Sequence, residues 1–449
     1  MNRPLLDYYR IPVELLNGVS LARDPGPSKS GFFQSLSAAA GTPVSSAFES
    51  SKHSQVDGST IQLSFDFTDL VEDLRLERYR VGNLKGLERF ASSEPVRKLY
   101  YFSRNFLPFR IRRQVQRIYF QGWQRLTFPE WPVDSTVDRL HRRILRLTME
   151  VAGIKKLPFI WFWPNAASSC LIMTHDVETT AGRDFSLQLM DLDDSYGFKA
   201  AYQVVPEQRY EVSDDYVATI RARGCEFNIH DLNHDGRLYS ERGEFARRAA
   251  RINDYLRHYK SQGFRAGAMY RRQEWYDVFD FSYDMSVPNV AHLEPLRGGC
   301  CTVMPYFIGR ILEIPLTTVE DYSLFHILKD YSIGLWKQQC TLIRGRSGLM
   351  SFLAHPDYLI ERRARKVYES LLDYLRAMIP EARIWSTLPG EVDLWWRARS
   401  QMKLVPRGAD WEIEGPERER ARVAYAVIDG DQFFYECAGN PVEKVDADC

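Results

Sequence analysis

An apolar run, Leu171-Ile172-Met173, ends abruptly in Thr174-His175-Asp176-Val177-Glu178. Such a run reads as a buried strand, and polar groups at its C-terminal end stand where α/β folds keep their chemistry. Asp176 and Glu178 are two apart, so a regular strand points both carboxylates to one side. Two carboxylates that close repel unless a cation or a proton sits between them. Alone, the pair reads as a solvated acidic strand end. Asn228-Ile229-His230-Asp231-Leu232-Asn233-His234 changes that reading. His230 and His234 are four apart directly after a short apolar strand, and on a helical turn both imidazoles reach one metal. Two imidazoles and one carboxylate suit zinc, with a position left open for water. Asp231 or Asp235 is placed to orient an imidazole.

Further polar groups follow at later strand ends: Arg265 in Gly263-Phe264-Arg265-Ala266-Gly267, Asp284 in Tyr283-Asp284-Met285-Ser286, and His355 in Leu353-Ala354-His355-Pro356. Singly, Arg265 reads as a surface salt-bridge partner and His355 as a satisfied core histidine. Their order along the chain gives them weight.

The elements that must position these groups alternate from Ala166 onward. Strand candidates lie at 170–174, 200–205, 226–229, 311–314 and 349–353, with helical stretches at 183–196, 213–223, 241–262, 319–337 and 361–378. This alternation predicts an α/β fold of parallel βα units, open or closed as a barrel. Upstream, residues 61–67 alternate as a half-buried strand, and the pattern from about 68 to 152 is mainly helical. A helix is expected over 136–152, capped by Asp134 or Ser135. The stretch at about 25–60 is rich in Ser, Gly, Ala and Pro and reads as flexible. Val96 to Phe128 holds eight Lys and Arg residues among aromatics and no acid. It reads as a solvated basic face, with peripheral contact to anionic lipid or a phosphorylated substrate as the sharper alternative. After Trp385 a helical stretch at 389–397 precedes short strands, two of them joined by Asp429-Gly430, a hairpin turn. Three parts result: a mixed, mainly helical region over 1–165, a barrel over 166–385, and a helix plus a small β module over 386–449.

Lys+Arg 59 balances Asp+Glu 59 in a chain of 449 residues, so charge offers no pull toward nucleic acid. The seven cysteines form neither a Cys-x-x-Cys site nor a disulfide framework, and are expected as buried free thiols in a reducing cytoplasm. The first residues lack the apolar core of a signal peptide, and no apolar window is long enough to span a membrane. The expected location is cytoplasmic, with membrane association only through 96–128.

In sequence order, Asp-x-Glu, His-x-x-x-His, Gly-Phe-Arg-Ala, Tyr-Asp-x-Ser and Leu-x-His-Pro resemble the polysaccharide deacetylase family (NodB-homology, carbohydrate esterase family 4) over residues 166–385. The resemblance implies a distorted (β/α) barrel, a divalent metal, zinc in most members, and hydrolysis of N-acetyl groups on sugars. It implies Asp176 as general base, Glu178, His230 and His234 as metal ligands, Arg265 orienting the base, His355 as general acid, and Asp284 supporting the site. Asp-Val-Glu stands where many members have adjacent aspartates, and Gly267 where Pro is usual two residues after the Arg. The implied substrate is a glycan, a sugar nucleotide or a glycolipid precursor. Two other readings remain beside it: a hydrolase of non-sugar C–N bonds, and a catalytically silent carbohydrate-binding protein.

Overall fold

The computed structural model describes residues 3–16, 18–23, 54–82, 119–408 and 410–437. Residues 25–53 of the Ser/Gly-rich stretch and 96–118 of the basic segment lie outside the described residues. Near the N-terminus, β1 (Ser20–Arg23), β2 (Ser54–Asp57) and β3 (Thr60–Leu63) form a small sheet in the order β1-β3-β2. The helix Thr136–Ala152 follows, then β4 (Lys156–Ile160). Its start is held by Asp134, whose Oδ1 accepts from Thr136 N at 2.7 Å, while the hydroxyl of Ser135 makes no cap bond. Gly153 ends it in a left-handed conformation, φ 67°, which costs glycine little.

The main sheet comprises β5 (Cys170–Val177), β6 (Ala200–Val204), β7 (Glu226–His230), β8 (Gly263–Arg265), β9 (Tyr283–Asp284), β10 (Tyr306–Ile308), β11 (Ile311–Glu313), β12 (Leu349–Ala354) and β13 (Trp385–Thr387). The order is β10-β11-β9-β8-β7-β6-β5-β12, with β13 also beside β5, and only the β10–β11 pair is antiparallel. All eight residues of β5 are buried, as a strand covered on both faces requires. The sheet curls until the segment after β11 meets the free edge of β12. There Thr317 Oγ1 donates to Leu349 O at 2.6 Å and Thr318 Oγ1 to Ser351 O at 2.7 Å. An irregular segment, rather than a strand ladder, thus fills the last gap of a half-barrel.

Helices 180–196, 214–222, 242–259, 334–344 and 362–382 cover the outside. Thr179 and Ser213 cap two of them through side-chain oxygens. Leu371, Leu372 and Leu375 of the last are fully buried, and truncating one such leucine to alanine costs about 2–5 kcal/mol. The single helix expected over 319–337 does not form. Ser323–Leu328 is a short π-helical stretch, and an α-helix begins only at Gly334. Between them Lys329 is left-handed, φ 57°, and Asp330 Oδ1 accepts from Ser332 N at 2.9 Å, a side-chain bond that competes with helix continuation.

Past the helix Pro389–Gln401, β14 (Lys403–Arg407) pairs β15 (Asp410–Glu414), and β16 (Val423–Asp429) pairs β17 (Gln432–Cys437) across the Asp429-Gly430 turn. β16 also pairs β4, so this C-terminal sheet takes its third strand from residues 156–160. Cys170, Cys225, Cys300, Cys301 and Cys340 are buried free thiols. Among the described residues no helix is long and apolar enough to cross a membrane.

Candidate metal centre and its flanks

The C-terminal ends of β5, β7, β8 and β12 bring six of the singled-out side chains together. Asp176, next to last in β5, is 2% exposed, and Glu178 follows the strand. β7 ends on His230, but residues 232–236 are a run of bends rather than a helical turn. Asp231 and His234 take left-handed backbone, φ 56° and 54°, a conformation that Asp and His tolerate better than most residues. That turn, and not a helix face, brings the His230 and His234 rings to 4.9 Å between centroids.

Glu178 Oε1 stands 2.8 Å from His234 Nε2 and 3.5 Å from His230 Nε2. The three donor groups lie within 4.8 Å of one another. Both Nε2 atoms are buried, close to the carboxylate yet not aligned on it as hydrogen-bond partners. Donors on a tetrahedral zinc at about 2.0–2.1 Å stand about 3.3 Å apart, so the two Glu–His distances bracket the required spacing. Donor set and spacing both fit a divalent cation. His230 is oriented by the main chain, its Nδ1 3.1 Å from Arg265 O. Neither expected aspartate makes that bond: Asp231 Oδ1 accepts from Leu232 N, and Asp235 is held by Arg248 at 2.7 and 2.8 Å.

On one flank, Arg265 Nη1 donates to Asp176 Oδ1 at 2.7 Å and to Thr174 Oγ1 at 2.9 Å, while its Nε donates to Met285 O. Burial pushes the Asp176 pKa up, but Arg265, with His230 and His355, outweighs burial and holds the carboxyl below its usual value. On the other flank, His355 follows β12 with Nε2 3.6 Å from Glu178 Oε1. Its Nδ1 lies 2.6 Å from Asp321 Oδ1, and its backbone N donates to Asp321 Oδ2 at 2.7 Å. Burial works against the imidazolium, yet Asp321 and Glu178 raise the His355 pKa well above its usual value.

Asp284 is not brought to this cluster. It accepts from Tyr276 Oη at 2.7 Å and from Ser286 Oγ at 2.6 Å, with Glu313 beside it in register. Ser286 Oγ in turn accepts from Ala266 N at 2.8 Å, so Asp284 acts on the residue after Arg265 rather than on the donors. Sequence reading missed Asp321, which clamps His355 twice from 34 residues upstream. No spacing or periodicity ties the two.

No protein-family model matches the chain, and no curated protein does. Among solved structures, a proposed polysaccharide deacetylase from Mycobacterium smegmatis is 15% identical, over 56% of this chain and 98% of that one, with a TM-score of 0.43. Peptidoglycan deacetylase PdaC from Bacillus subtilis is 12% identical over 50% and 90% of the two chains, TM-score 0.33. A family 4 acetyl xylan esterase from Clostridium thermocellum, solved with a cobalt ion, is 14% identical over 51% and 91%, TM-score 0.29. These likenesses are too distant to assign an activity; the chemistry rests on the cluster itself.

Proposed function

We propose that this chain is a metal-dependent hydrolase that removes an N-acetyl group from a carbohydrate: a glycan, a sugar nucleotide or a glycolipid precursor. One observation carries the reading: Glu178, His230 and His234 converge between the Asp176–Arg265 pair and the His355–Asp321 pair. A divalent ion such as zinc, held by those three residues, supplies Lewis acidity toward the amide carbonyl and the attacking water. Arg265 occupies Asp176 Oδ1 and keeps the carboxyl ionised, leaving Oδ2 to take the proton of the water. Asp321 holds His355 by Nδ1, so the proton on Nε2 faces the cluster and passes to the leaving amine. The proton gained by Asp176 matches the one released by His355, and the products are acetate and a free amine. An intact set of donor, base and acid positions favours catalysis over a silent carbohydrate-binding barrel.

The test is acetate release from N-acetylated sugars, sugar nucleotides, lipid-linked sugars and non-sugar N-acetyl amides, with the protein stripped by chelator and reloaded with zinc. Release from a sugar class that needs the metal supports the reading. Release only from non-sugar amides moves the substrate to another C–N bond. No release from any of them by metal-loaded protein sinks it.

A further inference from the structure

The loop after Arg265 bends round the candidate metal centre. Gly267 lies so close to it that a Cβ there would stand 2.6 Å from Asp231 Oδ2 and 2.9 Å from His234 Cδ2. Only glycine allows this approach, and the loop backbone therefore forms a wall against the ring of a metal ligand. Met269, two residues on, packs with Leu316 and with Leu353, near the end of the strand that leads to His355. Between them the backbone is unusual: Ala268 and Met269 both have left-handed φ, 53° and 51°. Non-glycine residues stay in such regions only where their surroundings over-determine them.

Besides that packing, the surroundings include a contact reaching in from the N-terminal region. Arg271 Nη1 donates to Met269 O at 2.7 Å, gripping the strained turn from its C-terminal side. The same guanidinium is bidentate on Glu77, with Nε 2.6 Å from Oε2 and Nη2 on Oε1. Both residues are buried, 4% and 5% exposed. Glu77 itself is left-handed, φ 56°, and is fixed by Gly299 N, which donates to Oε1 at 2.7 Å. Tyr79 Oη donates to Gly299 O, and Gln273 Nε2 and Tyr306 Oη both donate to Arg75 O. The segment 75–79 is thus clamped to the barrel on both sides of the ion pair. An unbroken set of contacts runs from Glu77 through Arg271 and Met269 to Gly267 and the ring of His234.

We propose that Glu77 is a positioning residue for the metal centre. Through Arg271 it holds the 266–271 loop in its left-handed turn, and so the N-terminal region sets the placement of His234. The consequence for metal binding rests on the function proposed above; the consequence for the loop does not.

The test compares Glu77→Gln and the double variant Glu77→Gln/Arg271→Met with the wild-type full chain. Three quantities are read: amide hydrogen exchange across 266–272, cobalt(II) affinity by titration, and thermal midpoint. Glu77→Gln keeps the shape but removes the carboxylate that is bidentate on buried Arg271. Its loop should exchange faster, and cobalt affinity should fall about ten- to a hundredfold, the range for groups that orient ligands from behind. The double variant removes the guanidinium as well, which restores stability in many buried pairs. It should regain the thermal midpoint without regaining loop protection or cobalt affinity. Unchanged loop exchange in Glu77→Gln overturns the proposal. So does a double variant in which loop protection and affinity recover together with stability, because the pair then acts only on global folding. If wild-type protein binds no cobalt or zinc, the metal reading fails by itself, and loop exchange alone decides the role of Glu77.

Discussion

Asp176 and Asp284 are acids at the ends of two strands of one sheet, both buried, at 2% and 0% exposure. Their pKa values are shifted in opposite directions. Burial raises the pKa of each, and at Asp176 the guanidinium of Arg265 reverses the effect, so the carboxyl is held low. Asp284 faces Glu313 instead of a cation; burial dominates, its pKa rises, and that of Glu313 rises well above the carboxylate range. A pair of such acids shares a proton. Both acids are buried, and the charge of the partner each meets decides the chemistry. One acid is prepared to accept a proton, and the other serves as a hydrogen-bonded strut under Ala266.

The largest expected effects follow from breaking the ionised side of this contrast. Asp176→Asn keeps size and hydrogen bonding but cannot take a proton, so acetate release should fall at least about a hundredfold with metal retained. Glu178→Ala should instead lose metal, with partial rescue by excess zinc. If Asp176→Asn loses metal while Glu178→Ala keeps it, their roles are exchanged. Next come the imidazoles. His230→Ala and His234→Ala should each lower metal content, read by elemental analysis, from about one ion per chain, as a single three-donor site demands. Equal content in all three proteins would break the assignment.

A smaller effect concerns pH. Activity needs Asp176 ionised and His355 protonated. It should appear as pH rises through the lowered Asp176 value and fade as pH rises through the raised His355 value. Asp321→Asn removes the charge that raises His355, and should move the alkaline limb of the rate profile to lower pH. A limb that stays put assigns it to another group.

The smallest effect sharpens the protonated side. Glu313 has a folded pKa raised well above 4.5. From 4.5 upward the unfolded chain ionises this group while the folded chain keeps its proton. Stability therefore falls as pH rises through that window, until the folded value is passed. Glu313→Gln, neutral at every pH, should flatten this fall in denaturant titrations and change stability by less than about 1 kcal/mol at its lower end, where the acid is protonated in both states. A large loss there would mean that the Asp284–Glu313 pair is ionised.

Sequence alone marked Asp176, Glu178, His230 and His355 at or just past the ends of apolar runs, His234 by its spacing of four from His230, and Arg265 by its place in the order of motifs. Strand direction is local information, written in hydrophobic pattern, and a parallel sheet carries every strand end to the same rim. The helix over 136–152 and the Asp429-Gly430 hairpin were legible for the same reason: period and turn chemistry are properties of neighbouring residues. The tertiary structure decided the rest. The His230–His234 pair is made by left-handed bends, which no helical period encodes. Asp321 finds His355, Glu77 finds Arg271, and β4 finds β16 across separations that leave no mark in a single sequence. Those partners are chosen by which buried charge or open strand edge stands nearby once the sheet has curled. That choice depends on the low dielectric of the interior and the requirement to pair every buried polar group, conditions that exist only in the folded chain.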